Sequence, residues 1–331
     1  MRNWTTPAGG TGATITLAAA LAVLVTGCAG GTTGGNTDGK GREAGGTWPA
    51  VATSFAHAPQ DYPLDAYRPT IAETGTVDHA VVVLARSCMR KFGQSWPAYQ
   101  APPGSIPLNA RKYGPTDLAS VRVYGYKPPL PDGVTRQQAV AAQQRAAATE
   151  KTITPAAKAV FTGAATEGAK VPSGVPEGGC RGQAQRSARA DGAADDLMEV
   201  QTLFVQASRG TAKDPATVAL DKRWSACMRK AGLDYPDPLT AVDDSTWREQ
   251  KTSAYGPQPA FPAPSRKEIS TAEADVRCKA ETGYVAKRYA VEARRQRQLV
   301  KEHRTALASV LERKRRMVER ADTVVAADKA K

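Results

Sequence analysis

Five cysteines are the side chains whose placement most constrains the chemistry of this 331-residue chain. Two of them occupy the same position in an eleven-residue phrase that occurs twice: Ser87 to Pro97 reads SCMRKFGQSWP, and Ala226 to Pro236 reads ACMRKAGLDYP. Six positions are identical in register: Cys88/Cys227, Met89/Met228, Arg90/Arg229, Lys91/Lys230, Gly93/Gly232 and Pro97/Pro236. Trp96 matches Tyr235 as an aromatic, and each phrase is followed by one further cysteine, Cys180 and then Cys278. Thiols can ligate a metal, attack an electrophile or pair with each other. A structural zinc site needs closely spaced ligand pairs. There is no CxxC, and the three histidines (His57, His79 and His303) are scattered, so no metal and no cofactor is expected. Disulfides remain. Four cysteines allow three connectivities. The repeat favours Cys88–Cys180 and Cys227–Cys278, each repeat closing on itself, and loops of that length each stabilise by about 4 kcal/mol in the chain-entropy model.

The fifth cysteine has a different setting. Met1 to Thr26 carries one basic residue, Arg2, and then an apolar stretch from Ile15 to Val25. That stretch is too short to span a bilayer and reads as the core of a signal peptide. Val25-Thr26-Gly27-Cys28 follows directly and resembles the lipobox of bacterial lipoproteins. That resemblance implies cleavage before Cys28 and acylation of its sulfur, and each buried CH₂ would add roughly 0.8 kcal/mol of membrane affinity. Gly30 to Gly46 holds eight glycines in seventeen positions, a composition that buries little and behaves as a flexible tether with a span of about 30 Å. The chain is therefore expected to divide into a signal peptide (1–27), a Gly-rich tether (28–60), a first helical unit (61–210) and a second unit (211–331). Gly34 to Lys40 fits GxxxxGK, but Gly41 stands where a phosphate-binding loop needs Ser or Thr, and no strand precedes it.

Other catalytic chemistry is sparse. GxSxG, HExxH and SxxK are all absent from the sequence. The one acidic cluster is Asp234, Asp237, Asp243 and Asp244, in a proline-containing loop. It lacks the spacing and central Gly of an EF-hand, and Asp beside Pro is ordinary turn and capping chemistry. No catalytic residue is assigned, and the chain is not expected to be an enzyme.

The elements that must position these residues are helices. Hydrophobic content is 41% and aromatic content only 6%, so the core is built largely from Ala, Val and Leu. Val77, Val81, Leu84, Cys88 and Phe92 recur at steps of three and four, one face of a helix, with Thr76 or Asp78 as its cap and Gly93 as its stop. In the second phrase Asp214 caps and Pro215 takes the first helical position, while Trp224, Cys227, Met228 and Ala231 face inward until Gly232. Helices are expected from a cap near Thr116 or Asp117 to a stop at Gly125-Tyr126 and Pro128, from about Thr135 to Lys151, from Cys180, and along Leu197, Val200, Phe204 and Ala207. Ser270 and Glu273 form a potential capping box. From there to Asp328 only Gly283 interrupts. Val300, His303, Leu307, Val310, Met317, Ala321 and Val324 mark the stripe of a long terminal helix that either projects toward a partner or packs on its own domain. The expected fold is mainly α, a tandem helical repeat closed by two disulfides with a long C-terminal helix.

Formal charge is +13, and 18 Lys and Arg against 10 Asp and Glu fall between Arg266 and Lys331. The basic terminal helix is therefore the expected contact for an anionic envelope polymer or a membrane protein. Outside the cytoplasm nucleic acid is not an expected partner.

The lipobox, the CMRKxG signature with its aromatic and proline, Arg111-Lys112-Tyr113-Gly114, Gly125-Tyr126-Lys127-Pro128 and Ala274-Asp275-Val276-Arg277-Cys278 together resemble a group of uncharacterised actinobacterial lipoproteins. The resemblance covers most of the mature chain and carries no activity with it. The reading is a membrane-anchored extracytoplasmic lipoprotein acting as a non-catalytic interaction or accessory module of the cell envelope. A solute-binding lipoprotein is the alternative, and an envelope enzyme working through the loop aspartates comes third.

Overall fold

The computed structural model describes residues 61–189, 193–247 and 263–330. The lipobox with Cys28, the tether, His57 and most of the proline-rich loop between Pro257 and Pro264 lie outside the described residues. Within them the chain is mainly helical, with eleven α-helices and no strands. No described helix is long and apolar enough to cross a membrane.

A 3₁₀ turn (Pro63–Tyr67) opens the fold and leads into α1 (Ile71–Lys91). This helix begins earlier than Thr76 or Asp78. Thr70 caps it, and Glu73 returns to the Thr70 backbone N–H, so a capping box three residues long outcompetes the later candidates. The helix then buries two sides. Val77 and Ala80 pack one way, and Cys88 and Met89 pack another. α2 (Leu118–Tyr124), α3 (Arg136–Lys151) and α4 (Pro155–Thr162) are capped by Asp117, Thr135 and Thr154. α5 (Gly179–Ala188), which opens at Cys180, lies against α1 and α4, and α6 (Ala193–Ala212) follows.

The second phrase repeats the local physics of the first. α7 (Pro215–Lys230) is capped by Asp214. Both cysteine helices end in the same left-handed turn. The N–H groups of Gln94 and Gly93 donate to Met89 and Arg90 carbonyls, and those of Leu233 and Gly232 donate to Met228 and Arg229 carbonyls. Gly93 and Gly232 have φ of +66° and +75°, which is why both phrases carry glycine there. Trp96 then folds back to stack on Phe161 with ring centres 3.6 Å apart. Tyr235 folds back against Trp247. Trp224 and Met228 are buried as expected, but Ala231 is exposed, because the turn begins at that residue and swings it out of the helical face.

Both disulfides are present. Cys88 joins Cys180 and Cys227 joins Cys278, with Cα atoms 5.5 and 5.7 Å apart. Cys278 lies one turn before the end of α9 (Arg266–Thr282), which follows the short α8 (Pro238–Val242). α9 starts at Ser265, whose hydroxyl accepts from the Glu268 N–H. Ser270 and Glu273 are therefore interior residues of this helix, not its cap.

The terminal segment is three helices. Gly283 (φ +62°) separates α9 from α10 (Tyr284–Glu302), and His303 separates α10 from α11 (Arg304–Lys329). The break at His303 has no glycine or proline to announce it. α11 docks on its own domain. Leu307 and Val310 pack with Val200, Leu203 and Phe204 of α6, and Met317 and Ala321 pack with Val77 and Ala80 of α1. The largest core cluster joins Tyr62, Tyr113, Val121 and Tyr126 to Leu220, Trp224, Met228, Trp247 and Tyr284, so residues on both sides of position 210 share one interior.

Replacing Cys227 and Cys278 together by Ser is expected to lower the unfolding free energy by about 4 kcal/mol, read from urea midpoints. Peptide mapping without reduction should return Cys88 linked to Cys180 and Cys227 to Cys278; a Cys88–Cys227 peptide would contradict the fold.

Candidate functional site

The motifs that stand far apart in sequence meet on α9. Its inward face carries Glu268, Asp275 and Lys279, all buried. Lys279 Nζ donates to Asp275 Oδ2 at 2.8 Å and to the Pro115 carbonyl at 3.0 Å. Trp224 Nε1 of the second cysteine helix donates to the other oxygen, Asp275 Oδ1, at 3.0 Å. Glu268 accepts from the Tyr126 N–H at 3.0 Å and pairs with Lys127 at 3.4 Å. Arg111 donates to the Tyr126 carbonyl. The Arg111–Gly114 and Gly125–Pro128 loops are thus two clamps on one helix.

Their glycines are fixed by approach as well as by backbone angle. A Cβ at Gly114 (φ +79°) would lie 2.8 Å from Lys279 Nζ, and one at Gly125 (φ +56°) would lie 2.7 Å from Glu268 Oε1. Any other residue would be strained and would push the buried charge away from its partner.

A second polar chain continues along α10. Tyr62 donates to Tyr113 at 2.6 Å, Tyr113 donates to Glu292 at 2.9 Å, and Lys112 pairs with Glu292 at 2.8 Å. Gln296 donates to Glu292 and accepts from the Leu64 N–H. Arg288 donates to Tyr284 and to Asp221.

Burial sets the electrostatics of this interior. It pushes the Asp275 carboxyl up to about 6, against the pull of Lys279. The same burial lowers Lys279 and brings Arg111 down to about 10. The phenols of Tyr62, Tyr113 and Tyr126 are raised far above their ordinary value, chiefly by desolvation. These groups are held by each other, and what they do chemically is position the loops.

The loop aspartates belong to a separate place. Asp237, Asp243 and Asp244 line an open cleft of about 770 Å³ together with Asp221, Tyr235 and Arg288. Asp234 is exposed outside it. Asp237 caps α8 through the N–H groups of Leu239 and Thr240. Asp244 accepts from the Tyr235 hydroxyl at 2.6 Å and from Thr246. Burial acts to raise Asp244, but these hydrogen bonds outweigh it and leave its carboxyl below the usual range. Asp221 ends above that range because burial exceeds the help from Tyr284 and Arg288. No family model, curated protein or solved structure matches the chain. Among the described residues no three His, Cys, Asp or Glu side chains are placed to hold a metal ion. His79 stacks on Tyr99 at 4.6 Å, and His303 sits at the α10–α11 junction.

Sequence reasoning missed Glu268, Lys279, Glu292 and Gln296. The signal for the last two was present: Glu292 and Gln296 lie one turn apart on the same face as Leu299, where a solvated helix would carry apolar residues. Glu268 was hidden by its position three residues after Ser265, which reads as a capping partner.

Asp275→Asn alone leaves Lys279 buried without its counter-charge and is expected to cost about 3 kcal/mol or more; Asp275→Asn with Lys279→Met should cost less than the single change. The raised Asp275 carboxyl also has a pH signature. Between about pH 4 and 6 the folded state holds a proton that the unfolded chain has released, so this group's contribution is full below that window and is lost as pH rises through about 6. Urea midpoints taken from pH 4 to 7 should therefore show wild type losing stability relative to Asp275→Asn across the window.

Proposed function

We propose that this chain is a lipid-anchored protein on the outer face of the cell membrane, acting as a non-catalytic interaction or accessory module of the envelope. The observation that carries the reading is the pairing of all four cysteines that follow the lipobox. Such disulfides persist in oxidising compartments, and the fifth cysteine, Cys28, stands directly after an apolar core of signal-peptide length. The interior supports it further, since the buried charged groups act on one another and on the loops they clamp.

The partner surface on this reading is charged. The apolar stripe of α11 is used within the domain, so the basic outward faces of the terminal helices are left for an anionic envelope polymer or a membrane protein. A solute-binding role is the second reading, and what favours it is the open cleft between Asp221, Asp237, Asp244 and Arg288. Palmitate labelling is expected to mark wild type and not Cys28→Ala; equal labelling would end the lipoprotein reading. Crosslinking in intact cells is expected to retain one stoichiometric partner. Recovery of none, with a small molecule bound in the cleft instead, would favour the second reading.

A further inference from the structure

We propose that the solvent face of α10 is a docking ridge that seats the domain on anionic lipid headgroups. Lys287, Ala290, Arg294, Arg297 and Lys301 follow one another at steps of three and four along α10, and Arg304 opens α11 in the same register. All six are exposed, five are cationic, and no acid interrupts them. At 1.5 Å per residue the row extends about 25 Å. At one end Lys287 shares an open cleft with Arg223 and Lys230, and with Glu281.

The contrast with α11 singles this row out. There Arg313 pairs with Asp196, Lys314 with Glu73, and Arg315 and Arg316 with Glu312. On the ridge Arg294 has Asp214 at 3.3 Å, and Lys287 donates to the Thr282 carbonyl. Arg297, Lys301 and Arg304 have no hydrogen-bond or ion-pair partner among the described residues. Glu302, the nearest exposed acid in sequence, is engaged by Gln298 at 2.9 Å. Like charges one turn apart repel, and a layer of anions relieves that repulsion.

The root of the tether selects lipid as the source of those anions. Tyr289 donates to the Asp61 carbonyl at 2.8 Å, and the Leu64 N–H donates to Gln296 at 3.0 Å. The chain arriving from Cys28 therefore meets the domain on α10 itself, and its opposite, inward face is held by Glu292 and Leu299. A tether with a span of about 30 Å keeps the ridge at a high effective concentration over the surface to which it is attached. Weak headgroup contacts are then sufficient to lay the domain down. This choice of surface rests on the lipoprotein reading.

The test uses the full chain carrying Cys28→Ala, which removes the acyl anchor, and vesicles of phosphatidylglycerol or of phosphatidylcholine. The quantity read is the difference in partitioning between the two lipids. Binding is expected to favour phosphatidylglycerol and to weaken with salt. Substituting Arg297, Lys301 and Arg304 together by Gln should reduce the difference by roughly 100-fold, from three surface cations each worth about a fivefold effect. Substituting Arg315 and Arg316 by Gln should change it less than threefold, and circular dichroism of both variants should match the parent. Equal loss in the two variants, or no preference for phosphatidylglycerol, would overturn the ridge. Selective binding of a soluble poly(glycerol phosphate) in place of vesicles would overturn the membrane assignment. Because the acyl chain is absent, either failure leaves the palmitate label to decide the lipoprotein reading separately.

Discussion

A carboxylate and an ammonium one turn apart on α9 can leave water only if every remaining donor and acceptor on them is answered. Residues from both halves of this protein meet that condition. Asp275 has two oxygens, one taken by Lys279 and the other by the indole of Trp224. Lys279 has a further donor, taken by the Pro115 carbonyl. That carbonyl can reach the lysine only because Gly114 has no side chain in the way. The same logic holds about two turns earlier, where Glu268 is met by Tyr126 and Lys127 across Gly125. An apolar pair in place of Asp275 and Lys279 would pack as well against α7, but it would not dictate where the two loops sit. The charged pair ties loop position, helix register and the second cysteine helix into one arrangement.

The two repeats use an identical helix ending for different purposes. In the first, Cys88 reaches the opening turn of a short helix and the aromatic after it stacks on Phe161. In the second, Cys227 reaches the last turns of α9, at the residue next to Lys279, and the aromatic after it turns toward Trp247. The second disulfide therefore pins the helix that carries the buried charges, whereas the first pins α1 to α5. α11 then returns across the first repeat and covers Val77 and Ala80. Each repeat closes on itself covalently; the first keeps a small core of its own around Cys88 and Cys180, but the rest of its apolar surface is buried together with the second.

The fold was legible wherever the determining physics is local. Cysteine helices, their glycine stops, Asp214 as a cap, a cap at Thr116 or Asp117 of which the structure uses Asp117, and the disulfide pairing all follow from residues within a few turns of each other or from the repeat. Where two local signals competed, the reading failed. Thr70 with Glu73 displaced Thr76, and Ser265 displaced Ser270, because a cap is decided by which hydroxyl meets a free N–H first along the chain. The break at His303 was not legible at all. It allows α10 to serve Leu64 and α6 while α11 follows α1, a demand set by packing partners far away in the sequence. Glu268 and Lys279 were illegible for the related reason that a charged residue on a helix looks solvated until the loop that answers it is in place, whereas Glu292 and Gln296 carried a signal in their shared face with Leu299. The motifs were visible as motifs, and their convergence on α9 was not.

Burial of these acids changes what the outside of the protein presents. Among the described residues the buried charged side chains are Asp196, Glu268, Asp275, Glu292, Lys279 and Arg288, four acids against two bases. The surface is therefore more basic than the composition alone implies. On α11 the excess is answered locally by Glu312 and Asp196. On α10 little of it is: of that helix's two acids Glu292 is committed inward to Tyr113 and Lys112 and Glu302 is engaged by Gln298, while Asp214 reaches Arg294 and Arg295. A carboxylate placed on the ridge would neutralise it, and one removed from the interior would release Tyr62 and the strap that begins the domain. The exposed cations of α10 are thus coupled to its buried acid. The helix that holds Asp61 and Leu64 through Tyr289 and Gln296 is, for that reason, the one whose outer face keeps the fewest counter-charges, and a contact made there would be electrostatic and salt-dependent.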